Sequence, residues 1–176
     1  VPFSQKPIPD TSSDSDFNCL PKMLGDDFGY KTAFFHANVS DFWNRKVLIP
    51  KWGFQDSHFV PYYSHIRLDD GKVLLDAIDY MKNSEKPTFA YVAGFTSHSA
   101  HTFEEIAWTN KTNGINITLY DGEVDMNVVN NVFLATETDV RAYMGFLEEI
   151  DRDIEILFDE LENNNLLDKT IVIIYG

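Results

Sequence analysis

Hydrophobic and polar positions along the chain fall into blocks that alternate between a helical and an extended period. The clearest block runs from Val140 to Leu161. Val140, Tyr143, Met144, Leu147, Ile150, Ile154, Leu157, Phe158 and Leu161 recur at three- and four-residue steps, and Glu148, Glu149, Arg152, Asp153, Glu155, Asp159 and Glu162 fill the other face. That period predicts an amphipathic helix with its apolar stripe on a core. Thr136 and Asp139 have capping-box spacing at its start, and Asn163 to Asn165 stop it. The run Thr170-Ile-Val-Ile-Ile-Tyr175 has no alternation, which predicts a central strand buried on both faces. Earlier in the chain, Asn18 is placed to cap a short helix with Pro21 in its first turn and Gly29 at its end. Lys31 to Phe35 reads as a strand. Leu74, Ala77, Ile78 and Met81 predict a helix from about Asp70 to Met81, and Thr88 to Phe95 is a continuous apolar strand.

The intervening segments carry no clear period. Residues 1–17, with Pro2, Pro7, Pro9 and a polar run, read as a loop or linker. Residues 38–69 are irregular and rich in aromatics, and 96–135 form a long polar excursion of the kind that often carries function. Helix followed by strand, three times over, predicts an α/β fold with a mostly parallel sheet. Ligands of such sheets bind beyond the carboxyl ends of the strands, which directs attention to the residues just after Phe35, Phe95 and Tyr175.

Charge narrows the partners. Lys plus Arg number 14 and Asp plus Glu 28, a net charge of −14. Such a surface repels nucleic acid and anionic membranes at long range. An anionic ester would have to be bound locally, by a metal ion or by a few placed cations. The single cysteine, Cys19, allows no intrachain disulfide and no cysteine-based zinc site. No apolar run is long enough to span a bilayer, and no segment reads as a signal peptide.

Two of the strand ends carry residues suited to an anion. His36-Ala37-Asn38 follows the first strand, and Phe42-Trp43-Asn44-Arg45 comes shortly after. A guanidinium offers a planar fork of donors matched to sulfate or phosphate oxygens, and a tryptophan can wall the pocket against water. The competing structural reading is a buried Trp43 with Arg45 on its rim. Thr96-Ser97-His98-Ser99-Ala100-His101 follows the second strand. A histidine there can donate to an anionic oxygen or protonate a leaving group, and His98 lies nearer the strand end than His101. The competing reading is a loop histidine bonded to a backbone carbonyl.

Two other motifs read as structural. In Cys19-Leu20-Pro21-Lys22-Met23, Met23 stands where a formylglycine-sulfatase motif has arginine, and Asp26-Asp27 follows a helix instead of a buried strand. Asn38, Asn110 and Asn116 begin glycosylation sequons. They keep open the alternative of a non-catalytic secreted glycoprotein that retains the fold.

Taken together, Phe35-His36-Ala37-Asn38 through Phe42-Trp43-Asn44-Arg45, Gly53-Phe54, Thr96-Ser97-His98 and the block from Tyr143 through Leu166-Leu167-Asp168-Lys169-Thr170 to Gly176 resemble lipoteichoic acid synthase-like phosphotransferases of the sulfatase family, within the alkaline-phosphatase superfamily. The resemblance implies a three-layer sandwich with a mostly parallel sheet, of which residues 18–176 form part, with a variable insert at about 96–137. It implies a threonine nucleophile activated by a divalent metal, manganese or alternatively calcium, magnesium or zinc. Trp43, Arg45 and His98 would line the pocket for an anionic headgroup, supported by His36 and Asn38. The nucleophile is expected before Val1 and the Asp-His metal ligands after Gly176, so that this stretch alone binds no metal and is inactive. The substrate implied is a sulfate or phosphate ester, with a sulfate ester, a phosphoglycerol lipid and a phosphoethanolamine donor all open. The parent would be extracellular or at the cell surface, held by a membrane anchor.

Overall fold

A computed structural model describes residues 18–59, 70–96, 98, 101–127 and 136–176. The expected linker at 1–17, Tyr62, Tyr63, Ser97, Ser99 and the later part of the polar excursion lie outside the described residues. The chain divides into two units, one of residues 1–65 and 76–93, the other of 66–75 and 94–176.

The first unit is built on a parallel sheet. Helix α1 (Leu20–Phe28) carries Pro21 in its first turn and ends at Gly29, whose φ of 70° is the left-handed conformation of a helix C-cap. Cys19, not Asn18, occupies the N-cap, with no side-chain cap bond. Strand β1 (Lys31–His36) follows. A one-turn 3-10 helix (Phe42–Asn44) and helix α2 (Arg45–Lys51) lead to strand β2 (Asp56–Phe59). Helix α3 (Asp70–Lys82), of which residues 76–82 belong to this unit, precedes strand β3 (Thr88–Ala93). The strand order is β2-β1-β3, both pairings parallel, with Ala33 opposite Asp56 and Ala90, and His36 opposite Phe59 and Ala93. As the middle strand, β1 is covered on both faces, and Thr32 to His36 are all buried.

The aromatics after β1 pack onto the two faces of that strand. On one face Phe34 stacks on Tyr91 (5.5 Å between ring centroids) and meets Phe54 and Phe59 edge-on or tilted. On the other, Phe35 stacks on His58 at 4.4 Å and meets Tyr80 of α3 edge-on. Burial of such rings dominates the energetics of a small core.

In the second unit, helix α4 (Phe103–Asn113) packs against helix α5 (Glu137–Asn163) through Ile106, Ile117, Ala142 and Phe146. Thr136 caps α5 in a full capping box with Asp139. The buried face of α5 is Ala142, Gly145, Phe146, Glu149, Asp153 and Leu161. The expected stripe is therefore displaced, since Tyr143, Leu147 and Phe158 are exposed. The cause is close approach at Gly145, where a Cβ would stand 2.0 Å from the Thr118 carbonyl oxygen. The segment before α5 rests on this glycine, and Arg141 Nη1 donates to the carbonyls of Tyr120 (2.7 Å) and Gly122 (3.0 Å). Glu149 is accommodated by its ion pair with Arg152.

The closing apolar run departs further from expectation. After a 3-10 turn (Leu167–Lys169), residues 170–176 form no strand, and Ile171 is 89% and Ile173 77% exposed. A strand needs a neighbour for its backbone groups, and no described strand pairs with this run.

Candidate functional site

The order β2-β1-β3 puts β1 between strands reached by connections to opposite sides. The carboxyl end of β1 is thus a topological switch point, where α/β sheets open a crevice. His36 ends the strand. Its Nδ1 donates to the Ala93 carbonyl at 2.7 Å, which ties the ends of β1 and β3 together and fixes the ring. Asn38 follows, and its Oδ1 accepts from Val39 N at 2.7 Å in a local turn.

The chain then enters an unusual backbone conformation. Trp43 (φ 61°, ψ 24°) and Asn44 (φ 54°, ψ 32°) are consecutive non-glycine residues in the left-handed region. Each costs on the order of 1–3 kcal/mol, and such strain concentrates at binding sites. Trp43 is 59% exposed, so it is not the buried core residue of the structural reading. Arg45, which opens α2, is instead the half-buried member of the pair. Its guanidinium lies 5.3 Å from the centroid of the Phe42 ring, and its Nη1 is buried without a hydrogen-bond partner among the described residues. Desolvation pushes its pKa below the ordinary value, though a guanidinium remains charged. A buried donor on a permanent cation with no protein acceptor is costly, and an anionic oxygen would satisfy it.

His98 belongs to the second unit. Its backbone N–H donates to the Phe95 carbonyl at 2.9 Å, and its exposed ring stacks on Phe95 at 5.0 Å. His101 packs edge-on against Tyr143 and Phe146, a structural position. His36 thus ends β1, Asn38, Trp43 and Arg45 lie on the segment that leaves it, and His98 lies on the loop that leaves β3.

Other candidates resolve as structural. A cavity of about 440 Å³ is walled by Cys19, Phe34, Trp52, Phe54, Phe89 and Tyr91, with no cation on its lining, and is unsuited to an anion. Cys19 is half-buried there at the start of α1, while Asp26 and Asp27 are exposed near its end. Asn110 is held in a paired contact, its amide donating to Ile117 O at 2.7 Å and accepting from Ile117 N at 2.8 Å. Among the described residues, no three His, Cys, Asp or Glu side chains are grouped to hold a metal ion. These residues do not fit a metal centre.

Periodicity did not reveal Asp70, which is buried and bonded to the loop carrying His98. The signal available was an acidic residue opening a helix, with Gly94 at the end of the next strand.

A parallel α/β sheet with a crevice beyond the carboxyl end of its central strand is an architecture shared by many families, and comparison with protein families is specific. Residues 2–176 match the Sulfatase family, and the chain belongs to it. Among curated proteins it is similar to lipoteichoic acid synthase of Staphylococcus saprophyticus, 22% identical over 171 residues, covering 93% of this chain and 23% of that protein. Lipoteichoic acid synthase of Staphylococcus aureus is 21% identical over 170 residues with the same coverage. The chain therefore spans about a quarter of the length of these relatives. Among solved structures, the lipoteichoic acid synthase LtaP of Listeria monocytogenes aligns with a TM-score of 0.64 at 17% identity, covering 89% of this chain and 35% of that one. A protein of the alkaline phosphatase superfamily from Vibrio parahaemolyticus aligns with a TM-score of 0.54, also at 17% identity, covering 87% and 33%. Both likenesses are of fold.

Proposed function

We propose that this chain is the anion-recognising part of a sulfatase-family hydrolase or phosphotransferase acting on sulfate or phosphate esters, with a lipid-linked phosphoglycerol headgroup as the favoured substrate class. The observation that carries this reading is Arg45, a half-buried cation whose Nη1 has no acceptor among the described residues, beside an exposed and strained Trp43. Arg45 supplies charge and directional donors to a tetrahedral anion, and Trp43 shields that contact from water. His36 and Asn38 support the segment that holds them. His98 is assigned a donor role toward an anionic oxygen. Membership of the sulfatase family and similarity to lipoteichoic acid synthases support the choice of chemistry.

In this reading the nucleophile and the divalent metal ligands are supplied by residues outside this chain. A divalent metal held by those residues would supply the activation of the nucleophile at neutral pH, and on this reading the 176 residues alone turn over no ester. The parent protein acts at the cell surface. Among the described residues no helix is long and apolar enough to cross a membrane.

Calorimetric titration with glycerol phosphate, inorganic phosphate and sulfate tests the anion site. Arg45→Gln is expected to weaken binding about 10- to 100-fold, the range for losing a hydrogen bond to a charged group. Equal affinity for the folded variant and the wild type would refute the role of Arg45.

A further inference from the structure

Asp70 opens α3, and its buried carboxylate reaches the loop beyond β3. Phe95 N donates to Oδ1 at 2.7 Å and to Oδ2 at 3.0 Å, and Thr96 N donates to Oδ2 at 2.9 Å. Gly94 makes room for this contact, because a Cβ there would lie 2.8 Å from Asp70 Oδ2. The peptide that Asp70 grips is also the one that His98 rests on. The Phe95 carbonyl accepts from His98 N at 2.9 Å, and the Phe95 ring stacks under the imidazole at an interplanar angle of 17°. Carboxylate-to-amide bonds are among the stronger protein hydrogen bonds, and the amino end of a helix favours the negative charge.

We infer that Asp70 is a positioning residue for His98: it fixes the Phe95–Thr96 backbone, and so sets the orientation in which the His98 ring is offered to an anionic ester. The inference rests on the ester-directed function proposed above. A mere tether between helix and loop would affect stability and leave His98 in place once the protein had folded.

The test separates these outcomes. Ring signals of His98 and the His98–Phe95 ring-to-ring nuclear Overhauser effect are recorded for the wild type, Asp70→Asn, Asp70→Ala and Gly94→Ala. His101, packed against Tyr143 and Phe146, is the internal reference. Gly94→Ala attacks the same contact from the opposite side and covers the case in which an Asp70 variant fails to fold. Positioning predicts that the His98 signals shift and the ring-to-ring effect is lost, with His101 unmoved. In the full-length protein, ester turnover should fall about ten- to hundredfold, as for a misplaced catalytic contact. Unchanged His98 signals and turnover in folded variants would overturn the inference while leaving the ester reading intact. Displaced His98 signals in a protein whose wild type turns over no ester would uphold the loop geometry and overturn the ester reading instead.

Discussion

Tyr80 shows how a single side chain can be held in one protonation state. Its hydroxyl donates to Asp56 Oδ2 at 2.5 Å, and Lys31 Nζ lies 4.1 Å from the centroid of its ring. Burial first, then the hydrogen bond and the charge of Asp56, push the phenol pKa well above its ordinary value. The neutral phenol is thus favoured in the folded state. In the unfolded chain a tyrosine loses its proton near pH 10, so above about that pH the unfolded state binds fewer protons and stability falls as pH rises. Tyr80→Phe should lose about 1 kcal/mol at neutral pH, for one hydrogen bond, and should show a shallower decline above pH 10. Urea unfolding across pH 7–11 measures both, and parallel curves for the two proteins would exclude this role. At the same scale, sequence reading identified Arg45 as a cation suited to an anion but had no means of seeing the left-handed backbone at Trp43 and Asn44. Asparagine tolerates that region, but no residue preference announces it at a tryptophan.

Among the elements, α5 makes the most testable prediction. Replacing a mid-helix glycine with alanine ordinarily stabilises by up to about 1 kcal/mol. At Gly145 the added methyl would meet the Thr118 carbonyl at 2.0 Å, and backbone cannot yield cheaply. Gly145→Ala is therefore expected to destabilise by about 1–3 kcal/mol, read from the urea midpoint. A stabilised variant would show that the contact relaxes freely. The same contact explains why the amphipathic pattern located α5 but misjudged its buried face: a close approach selects small residues, Ala142 and Gly145, that periodicity counts weakly. Helix α2 escaped notice because it is short, contains Pro50 and lacks a side-chain cap. Helix α4 escaped because its pattern is polar, though its Thr102 cap and Gly114 stop were legible. Strand β1, helix α3 and the capping box of α5 were readable because propensity, period and capping agreed there. The run at 170–176 was misread because an apolar sequence states a preference for pairing and cannot supply the partner.

At the scale of the molecule, the parallel sheet, the Sulfatase match over residues 2–176 and the likeness to lipoteichoic acid synthases agree on family and fold. The acidic charge of −14 makes a local cation more telling in the proposed reading, since the surrounding field repels anionic esters. Ester turnover by the full-length protein is the most direct measurement of the central claim. It should be assayed with manganese, magnesium, calcium and zinc against phosphodiester, phosphomonoester and sulfate-ester substrates. The account predicts metal-dependent turnover of at least one ester class, with kcat/KM reduced about 10- to 100-fold by Arg45→Gln. Absence of turnover with every metal and ester, or turnover indifferent to Arg45→Gln in a folded protein, would contradict it.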